Sequence, residues 1–249
     1  MTEPVRLAKR LAEMLNCSRS EAEQYIAGGW VSVDGLVVEE PQFRVLDQII
    51  TLSPDATLLD QASVTLLLHK PAGYEAGLGP MPGQAPQAAQ QLLSPSSLTP
   101  QDGSGVRPLK KHFTALNLAT PLAAAASGLV VFTQDWRIVR KLTEDASVLE
   151  HEVIVEVTGT PQAGGLERLN RVDHGFTFDG KLLPPAKVSW QNETRLRFAL
   201  KGELPGQIAF MCESVGLRIE AMKRIRVGRV PMRSLPAGQW RYLLPHERF

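Results

Sequence analysis

The sequence predicts an α+β chain in two parts. A small helix–turn–helix and hairpin module comes first, and a larger domain with a mixed, largely antiparallel sheet follows. Three observations predict it. The clearest paired helical runs lie within the first thirty residues. Later segments mostly alternate or run apolar, and they are broken by Asp-Gly pairs at Asp34-Gly35 and Asp179-Gly180, the dipeptide that suits tight hairpins. A polar connector, Pro54 to Ser63, separates the two regimes. Hairpins with few helices argue against a doubly wound parallel sheet. The expected parts are residues 1–62 and 63–249.

Composition bounds the rest. The chain has 249 residues, 43% of them hydrophobic, which suits a globular protein. No apolar run reaches the roughly 18 residues a membrane span needs. The N-terminus lacks an apolar signal core, so a cytoplasmic location is expected. Cys17 and Cys212 have no metal-ligand spacing and read as reduced thiols. The five histidines, His69, His112, His151, His174 and His246, are scattered, so no metal site is expected. Nor is a P-loop, a dinucleotide fingerprint or a nucleophile elbow present. Net charge is +1, so any argument for nucleic-acid binding must come from local clustering.

In chain order, Leu7, Leu11, Met14 and Leu15 recur at helical spacing and predict a helix over Pro4–Leu15. Ser18 and Glu21 form a capping box for a second helix that buries Ala22, Tyr25 and Ile26 and stops at Gly28-Gly29. Trp30–Val33 and Leu36–Val38 make a hairpin about Asp34-Gly35, and Ile49–Leu52 adds a strand. Val64–His69 is an apolar strand. Residues 77–107, rich in Gly, Pro, Gln and Ser, read as a long surface loop with a short helix near Gln87–Leu93. Gly128–Thr133 is a buried β-branched strand, and Asp135 is an N-cap for a helix burying Ile138, Val139 and Leu142. His151–Val157 alternates as a strand, with Val153, Val155 and Val157 on one face. A helix over Leu166–Val172, strands at Lys187–Trp190 and Leu196–Leu200, a helix over Gln207–Val215 ended by Gly216, and a basic extended run from Leu217 to Val230 complete the chain.

The stretch "RLAKRLAEMLNCSRSEAEQYIAGGWVSVDGLVV" resembles the small RNA-binding domain of ribosomal protein S4. The resemblance implies that Arg6, Lys9, Arg10 and Arg19 face folded RNA, contacts that give affinity without base specificity. Against this, residues 1–63 carry those four and Arg44 but ten acidic side chains, so RNA binding requires the basic ones to share a face.

Further along, "LLLHKPAG" at Leu66–Gly73, "SGLVVFTQD" at Ser127–Asp135, "HEVIVEVTG" at His151–Gly159 and "PAKV" at Pro185–Val188 occur in that order. "GQIAFMCESVGL" at Gly206–Leu217, "MKRIRVG" at Met222–Gly228 and "LPAGQWRYL" at Leu235–Leu243 follow. Behind an S4-like module, this series resembles the ribosomal RNA pseudouridine synthases, and the large-subunit branch most. The family needs no cofactor. Its aspartate, in a G-R-L-D motif, acts on a flipped-out uridine whose base is detached and rejoined through carbon.

Carried onto this chain, the motif falls on Thr120-Pro121-Leu122-Ala123, and the aspartate position is Ala123. The family's strand tyrosine is Val153. Its N-R-Q-I-R-R-M motif is Pro205–Met211, with all three arginines gone. Between the consecutive aspartates Asp102 and Asp135 there is no acidic residue. A buried arginine without its carboxylate costs several kcal/mol, so the joint loss reads as a coordinated emptying of the site. Lys70 in the retained HKPAG reads as structural.

Basic residues cluster at Arg218, Lys223, Arg224, Arg226, Arg229, Arg233 and Arg241, opposed in sequence only by Glu220, and predict a phosphate-tracking stripe. Lys110 and Lys111 form a smaller cluster. The expected function is RNA binding by a catalytically inactive pseudouridine synthase fold, with ribosomal RNA or a ribosome precursor as partner and a monomeric state. The alternatives are an active ribosomal RNA pseudouridine synthase and a protein-interaction module.

Overall fold

The computed structural model describes residues 3–58, 63–85, 87–170 and 176–249. The chain divides into two compact units, Met1–Ser63 with Arg107–Ala115, and Val64–Val106 with Leu116–Phe249. Arg107–Ala115 comes from the stretch expected to belong wholly to the second domain. It groups instead with the N-terminal module.

In the first unit β1 (Val5–Arg6) precedes α1 (Leu7–Leu15) and α2 (Arg19–Ala27). The first helix begins at Leu7, not Pro4, because Val5 and Arg6 pair with Val45 and Arg44 of β4 (Arg44–Val45). The capping box forms as expected: the Ser18 hydroxyl accepts from the Glu21 N–H at 3.2 Å, and the Glu21 carboxylate accepts from the Ser18 N–H at 2.7 Å. A three-stranded sheet orders β3 (Leu36–Val37), β2 (Val31–Val33) and β5 (Ile50–Leu52). Asp34 and Gly35 both take positive φ, 49° and 81°, the signature of the tight hairpin their sequence predicts. Leu7, Leu11, Ala22, Ile26, Val31 and Val45 close the core.

Arg107–Ala115 is bound to this unit through polar groups. Arg107 Nη2 donates to the Gly29 carbonyl at 2.6 Å, the Lys110 N–H donates to Glu39 at 2.7 Å, and the Lys110 ammonium pairs with Glu40. Buried Leu109 adds apolar packing, its methyl within 3.0 Å of where a Cβ on Gly29 would lie.

The second unit is built on one large sheet. Its strands are β6 (Thr65–Lys70), β7 (Asn117–Leu118), β8 (Ser127–Thr133), β9 (Glu150–Thr158), β12 (Lys187–Asn192), β13 (Arg195–Lys201), β14 (Arg218–Val227), β15 (Val230–Pro231) and β16 (Trp240–Tyr242). The order is β12-β13-β9-β14-β8-β6-β16. Every pairing is antiparallel except β14 with β8, which is parallel. A separate hairpin joins β10 (Thr177–Phe178) and β11 (Lys181–Leu182). The helices are α3 (Trp136–Glu144), α4 (Gly165–Leu169) and α5 (Gln207–Glu213). Residues 171 and 172 of the expected Leu166–Val172 helix lie outside the described residues.

Two apolar clusters lie along the sheet. One gathers Val153, Val155, Val157, Phe198, Leu200, Ile208 and Met211 around α5. The other gathers Leu67, Leu129, Val131, Leu142, Val227 and Phe249 around α3. The stretch 77–106 is less free than a surface loop. Ala89, Leu93 and Thr99 are buried, Trp240 Nε1 donates to the Ser94 carbonyl at 2.8 Å, and the Tyr242 N–H donates to Asp102 at 3.0 Å.

Candidate functional site

A cleft of about 230 Å³ opens in the second unit at the seam between the two apolar clusters. Its walls are mostly apolar: Pro121, Leu122 and Ala123 precede β8, Leu142 comes from α3, and Pro205 and Gly206 lead into α5. Three ionisable groups line it, His151 of β9, Glu203 before α5 and Arg224 of β14.

The loop carrying Ala123 is gripped by two buried cations. Arg224, 2% exposed, donates from Nη2 to the Thr120 carbonyl at 2.8 Å, from Nη1 to Pro121 at 3.0 Å and from Nε to Leu129 at 2.8 Å. Lys70, fully buried, donates to the carbonyls of Ala126 at 2.6 Å, Tyr74 at 2.8 Å, Pro71 at 3.0 Å and Ala124 at 3.3 Å. The loop's backbone dipoles therefore solvate both charges. Desolvation still shows: burial, then the nearby Arg224 charge, lowers the Lys70 pKa to about 8, and burial lowers that of Arg224 to about 10.

Gly128 makes this arrangement possible. It takes φ +118° where β8 runs beside β14, and a Cβ there would lie 2.2 Å from the Arg224 carbonyl oxygen. Only glycine permits that approach.

Glu203 was not singled out by the sequence. It carries no motif of its own and lies just before the Pro205–Met211 segment. Glu203 Oε2 lies 3.6 Å from His151 Nδ1, beyond hydrogen-bonding distance, and both side chains are 16% exposed. Burial lowers the His151 pKa, and the Arg224 and Arg226 charges add to this, while Glu203 opposes it. A carboxylate, an imidazole and a guanidinium thus share one cleft, a set able to hold a proton and to donate and accept hydrogen bonds.

The other expected positions fall into place unevenly. Ala123 is on the cleft wall. Val153 is 1% exposed and packs in the α5 cluster rather than lining the cleft. Phe210, where the resemblance places an arginine, packs edge-on to Phe176 with ring centroids 6.1 Å apart and tilted against Phe178 at 5.2 Å.

The continuous basic stripe does not form. Arg224 is buried in the cleft wall. Arg226 pairs with Glu150 and, at 2.8 Å, Glu152, acids from β9 that the linear sequence kept far away. Arg241 is buried against Glu247 at 2.7 Å, and Arg233 meets the same carboxylate at 3.2 Å. Arg218 and Arg229 are exposed, and Lys223 is half-buried. Lys110 and Lys111 belong to the first unit, where Lys110 is engaged by Glu40. In that unit Arg6, Lys9, Arg10 and Arg19 are all exposed, Arg10 donating to the Leu46 carbonyl at 3.0 Å and Arg19 to Glu23 at 3.2 Å.

Comparison with known proteins matches the S4 domain family over residues 5–48. An uncharacterized RNA pseudouridine synthase of Aquifex aeolicus is 25% identical over 98% of this chain and 94% of its own length. The chain is a homologue of proteins named RNA pseudouridine synthases. The ribosomal small subunit pseudouridine synthase A of Vibrio cholerae is 24% identical, covering 98% of this chain and 97% of that protein. A dual-specificity RNA pseudouridine synthase of Escherichia coli K12 is 24% identical over 98% of this chain and 77% of its own length. A crystal structure of a pseudouridylate synthase matches with a TM-score of 0.59 at 18% identity, over 96% of each chain. The sheet is thus a pseudouridine synthase fold behind an S4 domain, a mixed α+β architecture. Among the described residues no helix of the synthase homologue is long and apolar enough to cross a membrane, and no group of three His, Cys, Asp or Glu is placed to hold a metal.

Proposed function

We propose that this protein binds structured RNA, with ribosomal RNA or a ribosome precursor as partner, and does not isomerise uridine. The observation that carries the reading is Ala123. A methyl group stands at the aspartate position, and the two cations around it, Lys70 and Arg224, donate to backbone carbonyls instead of a carboxylate. A site that has lost its reactive group and whose charged neighbours have hydrogen-bond partners elsewhere is equipped to hold a fold, not to turn over substrate. RNA binding draws on the S4 domain and on the relatives' names, and a cytoplasmic location and a monomeric state go with it.

Glu203 favours a second reading. A carboxylate does reach the cleft, from a different loop, with His151 and Arg224 beside it. Under that reading the chain is an active ribosomal RNA pseudouridine synthase that has moved its acid. Pseudouridine maps of ribosomal RNA from cells with and without the protein separate the two. The first reading expects identical maps. A uridine that loses its modification on deletion, and is restored by wild-type protein but not by Glu203→Gln, establishes the second.

A further inference from the structure

The second unit has a further concavity, about 440 Å³, apart from the cleft. Lys141 of α3, Arg229 and Arg248 line it, and all three are exposed. They are far apart in sequence and gathered only by the fold. We infer that this groove is a docking surface for RNA backbone phosphates. This rests on the RNA-binding reading and names where in the second unit the strand would lie.

The charge balance points to a polyanion. The groove's acid, Glu150, is engaged by Arg226. Among the described residues, Lys141 and Arg229 make no ion pair or side-chain hydrogen bond, and Arg248 spends only Nη1, on the carbonyls of Pro245 at 2.6 Å and Glu247 at 2.7 Å. Three cations without counter-charges are left facing one open groove, the footprint a phosphate backbone requires.

The backbone under two of the cations is fixed. Arg229 sits at the tip of the two-residue turn between β14 and β15, where Val227 pairs with Val230. Lys141 rides on a helix whose N-terminus is capped by Asp135, which accepts from the Arg137 N–H at 2.9 Å.

The spread of the cations over α3, the β14–β15 turn and Arg248 favours a phosphate backbone over an isolated anion. Leu142, Ala146 and His151 line the cleft while Lys141, Val148 and Glu150 line the groove, so the two hollows flank one segment of chain. On β14, a bulge sets Arg224 opposite Val153 and Arg226 opposite Glu152, neighbours on β9, so the cleft takes one arginine and the groove, on the other face of these strands, takes the second.

The test is equilibrium binding of the full chain to a transcribed large-subunit ribosomal RNA fragment across a salt series. Lys141→Gln/Arg229→Gln is compared with a control pair of exposed lysines on other strands, Lys187→Gln/Lys201→Gln. Removing two phosphate contacts is expected to lower affinity about tenfold or more near physiological salt and to reduce the slope of log affinity against log salt by about two, while the control pair changes neither. Equal losses in both pairs, or no loss in the first, overturn the groove while leaving RNA binding intact. Wild-type protein that fails to bind the fragment overturns both the groove and the reading it rests on.

Discussion

At residue 123 a single methyl group decides how the cleft is read, and its surroundings decide whether a carboxylate there would matter. Ala123→Asp is expected to give no detectable pseudouridine on ribosomal RNA transcripts. Arg224 already commits three of its five N–H donors to Leu129, Pro121 and Thr120, which hold it on the loop backbone, and Val153 and Phe210 still stand where the resemblance puts the tyrosine and an arginine. Turnover by that single variant would show that the supporting groups are dispensable. Gly128→Ala is expected to cost several kcal/mol of stability, because a Cβ 2.2 Å from a backbone oxygen must part β8 from β14, and +118° is a strained φ for alanine. Chemical denaturation measures it; a loss under about 1 kcal/mol contradicts the close approach.

Lys70 makes a residue-scale prediction through pH. Its pKa is about 8 when folded against an ordinary 10.5. Between those values the unfolded chain binds more protons than the folded one, so stability rises with pH, by roughly 3 kcal/mol at most from this group. Denaturation midpoints taken from pH 8 to pH 10.5 should climb in the wild type, and Lys70→Met should lose that part of the slope.

At the scale of elements, much was legible beforehand and some was not. The capping box at Ser18, the Asp-Gly hairpins and the Asp135 cap are local devices, written in neighbouring residues, and they form as read. The start of α1 was misplaced because its competitor, the pairing of Val5 with Val45, joins residues forty apart. For the same reason the basic run was misjudged: its opposing acids, Glu150, Glu152 and Glu247, come from other strands and the chain's last residues. Glu203 escaped for want of any local pattern. The 107–115 segment belongs here too. Burial, then the charge of Lys111, lowers the His112 pKa to about 4. The unfolded histidine, with an ordinary pKa of 6.5, takes up its proton first on acidification. Stability should therefore fall as pH drops from 6.5 to 4, and His112→Asn should flatten that fall in urea denaturation. An unchanged profile would mean that His112 titrates normally.

On the scale of the whole molecule, an S4 domain and a pseudouridine synthase fold are joined in a chain whose relatives bear synthase names, and the proposed loss of chemistry rests on Ala123 at the position the resemblance gives to the aspartate. A truncated protein of residues 1–63 is expected to unfold at lower denaturant than the same unit in the full chain, because it leaves Gly29, Glu39 and Glu40 without their partners on Arg107 and Lys110. Equal midpoints would mean that the segment adds nothing to the unit. The central claim, that the fold has been kept and the chemistry set aside, meets its most direct test in the pseudouridine map of ribosomal RNA. Deleting the gene for this protein should leave every modified position as it was. One uridine that goes unmodified in its absence and is modified again when the wild-type chain returns would contradict the account.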